Sequence, residues 1–478
     1  MKDIKEKPRL FARIIESIYG AKPENVYLVL AITFGVIAAI VIPPMAVADE
    51  IAHYINALKV SHGQFLPSVK NGETGIFMSY IEAQFLDYHS IDVMSPKMKL
   101  SDIFMFSSGS NAPTLFYESD MVGINPFAYL VSGVGLAIVR FLFPFFNAHI
   151  CFIFARFCNL AVAVIITRHA IKVTPVLKNT MLMLALMPMT LHQIASLSYD
   201  ALLIPVAFLF FAYVMKIVYE KCGDYKITIN DIAILCFCCA VLFGIKFVYG
   251  AMAVVLFAIP KRKVGSWKKY FILGGIILLL IAVFYYLPTK MTSLVTSPFS
   301  NKNPLSAENR RIFYSDVFHM VPRILKDTTL LFLRIWRTQF FGSLGWLTLR
   351  FPFAFEAVFY IILAVVFLTD VCRAGGISVL ARFLSAAAFS LVFAGAILGI
   401  YLRHNPSVGY VGGTIAYGVQ GRYFIPSALF GLVVFSNSLL EKCKYKNVIS
   451  LVGQKLSYVT VLFYSAATVV LLFSHFWV

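Results

Sequence analysis

Twelve stretches of this chain are apolar over about the length of one membrane crossing: near residues 27–47, 126–146, 148–167, 179–196, 202–218, 230–245, 247–260, 270–288, 352–370, 379–402, 423–440 and 457–477. About 20 apolar residues in a helix span a hydrocarbon core of about 30 Å. A backbone inside lipid must satisfy its own polar groups, so runs of this kind fold as helices. The rest of the composition agrees. Of 478 residues, 60% are hydrophobic and 13% charged, with mean hydropathy +0.81, whereas a soluble domain carries about 25% charged residues. A soluble enzyme, a disordered chain and a disulfide scaffold are excluded. So is an outer-membrane barrel, whose strands alternate in polarity. The eight cysteines lie in apolar runs or beside basic loops, which reads as buried thiols. The expected fold is an all-α polytopic membrane protein.

Charge sorts the runs. Lys and Arg number 41 against 23 Asp and Glu, a net charge of +18. No nucleic acid is needed to explain this, because basic residues gather in cytoplasmic loops. The clusters are Lys2 to Lys22; Arg168, Lys172 and Lys178; Lys216, Lys221 and Lys226; Lys261 to Lys269; Arg373 and Arg382; and Lys442 to Lys455. If every run crossed, the clusters at 168–178, 216–226 and 261–269 would face outside. If the run at 126–146 lies at the interface instead, every cluster faces inside. Pro126, Arg140 and Pro144 in that run suit an interfacial helix.

The resulting topology has eleven spans, a basic, amphipathic N-terminal stretch (Met1 to Asn25) in the cytoplasm, and the C-terminus outside. An N-terminal transmembrane module (1–288) carries a first exterior loop, 48–146, with nine acids. An exterior basic segment (289–351) follows, then a C-terminal transmembrane module (352–478) with a third exterior stretch at 403–421. Basic residues outside, among them Arg323, Arg334 and Arg337, run against the charge rule. Two explanations stand: an anionic ligand such as a lipid phosphate at the outer leaflet, or headgroup contact by an interfacial helix over Ile324–Phe341.

The sharpest local feature is the exit of the first span, Pro43-Pro44-Met45-Ala46-Val47-Ala48-Asp49-Glu50-Ile51-Ala52-His53-Tyr54. Two prolines end the helix. Adjacent carboxylates then stand at the membrane surface, and Asp49 and His53, four apart, share a face of the next helix. One reading is a charged helix start favoured by the dipole. The other is a general base at the lipid–water boundary, taking a proton from a sugar hydroxyl.

The string from Pro43 to Tyr54, with Gly63 beyond it, resembles the "PP…DE.AH…G" segment of a bacterial multi-span family of unassigned function within the GT-C glycosyltransferase superfamily. Three further stretches resemble that family in the same order: Ser198-Tyr199-Asp200-Ala201-Leu202, Gly244-Ile245-Lys246-Phe247-Val248-Tyr249 and Gln420-Gly421-Arg422-Tyr423-Phe424-Ile425-Pro426. Ala48 stands where the family often has Pro, and Tyr54 where Phe is common. The resemblance implies a GT-C-like fold with interfacial helices in the first exterior loop. It implies a sugar taken from a polyprenyl-phosphate carrier on the outer face, with an acid base after the first span and a second acid in the next exterior loop, where Asp200 falls. The acceptor would be a cell-envelope glycan such as O-antigen or teichoic acid.

The other candidates carry two readings each. Arg422, with Tyr423, binds the carrier phosphate through charge-assisted hydrogen bonds or anchors a span end. Arg403 and His404 lie nearby. Lys246 reaches the phosphate or snorkels. Arg156, ionisable within an apolar run, is functional or paired. Asp200 is a second acid or a helix cap. The residues would also admit a divalent cation between Asp49, Glu50 and Asp200.

The class these residues favour is an inverting glycosyltransferase in the bacterial cytoplasmic membrane, with Asp49 as base. A lipid-linked oligosaccharide flippase and a polysaccharide polymerase are the alternatives. The acid pair directly after the first span favours the transferase. For the topology, cysteine labels at 172, 265 and 450 are expected to report cytoplasm; an exterior signal at any of the three would overturn it.

Overall fold

The computed structural model describes residues 20–106, 113–219, 226–296, 304–370, 376–436 and 439–478. The N-terminal stretch before Gly20, together with Lys221, Cys222, Lys302, Cys372 and Arg373, lies outside the described residues. The protein is a mainly helical membrane protein. Among the described residues, seven helices are long and apolar enough to cross a bilayer.

The first, α1 (Pro23–Val41), begins with proline in its first turn and stops before Pro43 and Pro44. A turn then leads to α2 (Glu50–Ser61), which opens the segment 48–146. The mainly helical architecture carries a small sheet here that the apolar runs do not announce. Strands β1 (Ser68–Lys70), β2 (Glu73–Ser79) and, after helix α3 (Tyr80–Ser90), β3 (Thr114–Glu118) form an antiparallel sheet in the order β1-β2-β3. The sequence pattern Glu73-Thr-Gly-Ile-Phe-Met-Ser79 alternates weakly, and a search for apolar runs passes over it. The run at 126–146 forms a 3₁₀ turn (Pro126–Tyr129) and α4 (Leu130–Leu142). At 13 residues, or about 20 Å, α4 falls short of a bilayer core. Its Arg140 binds Glu82, His62 and Ser61 of the same segment.

Helix α5 (Ala148–Val173) is the next of the seven long enough to cross. The apolar run at 179–196 is two short buried helices, α6 (Lys178–Ala185) and α7 (Pro188–Ile194), broken where Pro188 removes a donor. Next come α8 (Asp200–Val218), α9 (Ile229–Ile245), a 3₁₀ stretch (Phe247–Ala258) and α10 (Trp267–Thr296). Then follow α11 (Pro304–Ser315) and α12 (Val317–Gly342). The latter is the amphipathic helix expected over Ile324–Phe341. It exposes Leu330, Leu331 and Leu333 and buries Ile324 and Trp336. The chain ends with α13 (Phe353–Asp370), α14 (Val379–Arg403), α15 (Ala428–Val434) and α16 (Lys446–Phe476). The run at 423–440 is therefore a broken segment, with a 3₁₀ turn at Gly421–Phe424 preceding the seven residues of α15.

One buried ion pair fixes the end of α1. Arg156 of α5 and Glu50 of α2 are fully buried and bonded twice, at 2.6 and 3.1 Å. Pro43 cannot give the amide that would bond Ala39 O, and Arg156 supplies that donor at 3.0 Å. The same guanidinium reaches Ile42 O and Pro43 O. Trp477, at the far end of the chain, donates to Val41 O. Removing one partner of a buried pair costs about 3–5 kcal/mol, so Glu50→Gln and Arg156→Leu should each strongly lower the Tm of detergent-solubilised protein. The double variant Glu50→Leu/Arg156→Leu should recover little, because the α1 carbonyls still lack their donor. Full recovery would reduce Arg156 to a charge partner alone.

Candidate functional site

Five segment ends meet at one end of the helices. The turn before α2 gives Asp49, the start of α8 gives Asp200 and the end of α9 gives Lys246. The 3₁₀ turn gives Arg422 and Tyr423, and the end of α14 gives Arg403. Asp49 adopts a left-handed backbone, φ +67°, as does Met45 at +62°. Asp tolerates that region better than most residues. The side chain of Asp49 does not cap α2; it is half exposed and accepts a 2.6 Å hydrogen bond from Arg422. The helix-cap reading is thereby set aside in favour of a side chain turned to the site.

Arg422 is nearly buried and surrounded by acceptors. Gln420 and Gln193 take hydrogen bonds at 2.6 and 3.0 Å, and the Asp200 carboxylate lies 3.8 Å away. Gly421 makes this placement possible, because a Cβ there would lie 2.0 Å from Trp336 O of α12. Its amide binds the Gln339 side chain, and the Trp336 indole donates to Val419 O. Helix α12 thus clamps the turn that aims Arg422. Lys246 stands over the Tyr423 ring at 3.9 Å and the Tyr199 ring at 5.9 Å.

Partial burial alone would raise the Asp49 carboxyl. Arg422, with Lys246 behind it, outweighs that and holds Asp49 below the ordinary aspartate range. His53 is different. Burial pushes its imidazole down to about 3, more than Asp49 can raise it, so the ring is neutral. Its Nδ1 shares a 2.7 Å hydrogen bond with the Tyr129 hydroxyl, and its ring meets Tyr199 edge-on. His53 therefore packs behind Asp49 as a positioning group.

Some expected members stand elsewhere. Glu50 is committed to Arg156 and to the Leu197 amide, at 3.0 Å, and faces away from water. Arg337 pairs with Glu356 at 2.6 Å on the outer side of α12. The donor set does not fit a divalent cation. Glu50 is withdrawn, and the Arg422 guanidinium contacts both other carboxylates. Among the described residues no group of three His, Cys, Asp or Glu is placed to hold a metal. Gln193 and Tyr129 do not stand out in the sequence, and Gln420 does so only as the first residue of the stretch that ends at Pro426. A glutamine and a histidine inside the apolar run at 179–196 were the available signal. His192 beside Gln193 accepts from the Gly345 amide.

Beside these side chains opens a cavity of about 1650 Å³. Tyr199, Lys246, Arg403, His404, Ser407 and Tyr423 line one end. The remainder is mostly apolar and runs between α9, the 3₁₀ stretch, α14 and α10 as far as Ile227 and Trp267. Along α9 that is about 26 Å, close to the thickness of a hydrocarbon core.

A family model described as "Predicted membrane protein (DUF2142)" matches residues 32–430. The chain belongs to this DUF2142 family. The match takes in Asp49, Asp200, Lys246 and Arg422, and it bears out the reading of a multi-span membrane protein. No curated protein and no solved structure matches the chain.

If Arg422 works through its planar fork, Lys cannot replace it. Arg422→Lys should fold but lose function to nearly the same degree as Arg422→Gln, measured as growth complementation normalised to membrane abundance. Full complementation by the Lys variant would reduce Arg422 to a point charge.

Proposed function

We propose that the protein is an inverting glycosyltransferase of the bacterial cytoplasmic membrane, with the eleven-span topology. It would take a sugar from a polyprenyl-phosphate carrier and pass it to a cell-envelope glycan on the outer face. The observation that carries this reading is the junction of two features. A carboxylate–guanidinium site with access to water adjoins a membrane-length apolar cavity whose polar end holds Lys246 and Arg403. A long isoprenoid tail needs the second, and its phosphate and sugar need the first.

The chemistry follows from the charges. Asp49 accepts the proton of the acceptor hydroxyl as that oxygen attacks the anomeric carbon. The bond from that carbon to the phosphate oxygen breaks, and the phosphate keeps the electron pair. Cations already in place stabilise the charge that develops there, and Arg422, Lys246 and Arg403 are the groups at hand. In the resting protein Arg422 binds Asp49 and so weakens it as a base. A phosphate that draws the guanidinium away would leave Asp49 more basic as the donor binds.

The direct assay is release of polyprenyl phosphate from a labelled carrier-linked sugar by purified protein. Asp49→Asn keeps a backbone preference for the left-handed region and should lose about 10²–10⁴-fold in kcat. Near-full activity in a well-folded Asp49→Asn protein would move the base elsewhere. Because Asp49 lies below the ordinary aspartate range, its ionised form persists as pH falls. The acid limb of kcat/KM, which reports the free enzyme, should therefore lie below about pH 4.

A further inference from the structure

A second polar cavity lies at the opposite end of the helices, far along the chain fold from Asp49. It measures about 520 Å³, within the range of small-ligand pockets. Its walls come from the start of α1, the end of α5, the start of α6, the end of α13 and the first third of α16. The positive-inside assignment places these ends at the cytoplasmic surface.

The lining sorts into two kinds. Lys22 and Lys172 are exposed at the rim, and Lys178 beside them donates to Lys172 O. Deeper in stand acceptors. Asp370 is 5% exposed and takes hydrogen bonds from Asn179 Nδ2, the Thr180 amide and the Thr180 hydroxyl, at 2.7, 2.6 and 2.8 Å. It forms no ion pair among the described residues. Glu24 is 7% exposed. Asn179 is equally buried, and its side-chain oxygen has no hydrogen-bond partner. A buried acceptor left unmade costs about 1–3 kcal/mol, so this oxygen calls for a donor.

Neither a simple anion nor a simple cation answers both halves. Inorganic phosphate suits the lysines but meets two carboxylates. A metal ion or bare ammonium suits the carboxylates but meets the lysines. We infer that this cavity binds a phosphate ester that carries a nearby N–H donor, an ethanolamine phosphate group, with phosphate at Lys22 and Lys172 and ammonium toward Asn179 Oδ1 and Asp370. Basic pockets between helix ends on the cytoplasmic side are known to suit lipid headgroups. The group has two sources, phosphatidylethanolamine from the inner leaflet or a soluble phosphoethanolamine.

The choline analogue separates hydrogen bonding from charge, since it has the same charges and no N–H. The full-length protein in nanodiscs of phosphatidylethanolamine or phosphatidylcholine would be released into mild detergent, and retained lipid counted by native mass spectrometry. In parallel, the Tm of delipidated protein would be followed against phosphoethanolamine, phosphocholine and inorganic phosphate. The expected result is retention, or a saturable Tm rise, at least tenfold in favour of ethanolamine over choline in one of the two arms. Retention in the lipid arm identifies a headgroup site; a Tm response to the soluble ester alone identifies a free ligand. Lys22→Ala/Lys172→Ala, both on the surface and safe for folding, should weaken binding about tenfold or more. Asn179→Leu should erase the preference for ethanolamine. Equal response to choline and ethanolamine in both arms, or binding unchanged in the lysine double variant, would overturn the proposal. The readout is independent of any transferase activity.

Discussion

A single arginine inside a membrane helix sets the geometry of the end of the molecule where Asp49 stands. The two prolines after α1 leave carbonyls that lipid cannot satisfy. Arg156 satisfies three of them, and its charge is balanced by Glu50, the residue after Asp49. The exit of the first span is thereby fixed in position and depth. Asp49 inherits that position because it is one residue away from an anchored neighbour. Two adjacent acids of the same chemistry thus have opposite fates. One is buried to hold the backbone, and the other is left at water to face Arg422.

The second constraint is charge balance within a small volume. Arg422 joins Asp49 and Asp200, and Lys246 lies over Tyr423 with no carboxylate in hydrogen-bond contact among the described residues. Net positive charge remains at the polar end of the cavity, where Arg403 adds to it. A ligand with a negative head and an apolar tail matches this gradient. The aromatic rings of Tyr199 and Tyr423 attract the Lys246 ammonium through cation–π contact, beside the charges of Asp200 and Asp49.

Much of this was legible in the residues. The meeting of Asp49, Asp200, Lys246 and Arg422 follows from assigning each motif to an outer span end, which the basic clusters permit. What stayed hidden has physical reasons. Glu50 and Asp49 look alike in sequence, and only the partner, Arg156, separates them. Arg337 reads as a free cation until α13 brings Glu356 beside it. The apolar runs at 179–196 and 423–440 have the composition of spans, but Pro188 and the Gly421 turn break their helices, and hydropathy does not register a break. The three-stranded sheet between α2 and α4 is too short and too weakly alternating to stand out beside long apolar runs.

The contacts also differ in when they can form. Arg156 and Glu50 lie 106 residues apart, whereas Arg422 and Asp49 lie 373 apart. At synthesis rates of about 5–20 residues per second, Arg422 emerges roughly 15–50 s after Arg156. The scaffold around the first span can therefore close early in biogenesis, while Asp49 waits for its cation until most of the chain is in the membrane. A nascent protein at that stage holds a settled framework and an unguarded carboxylate, so the contact between Asp49 and Arg422 arrives last and only with a nearly complete set of helices.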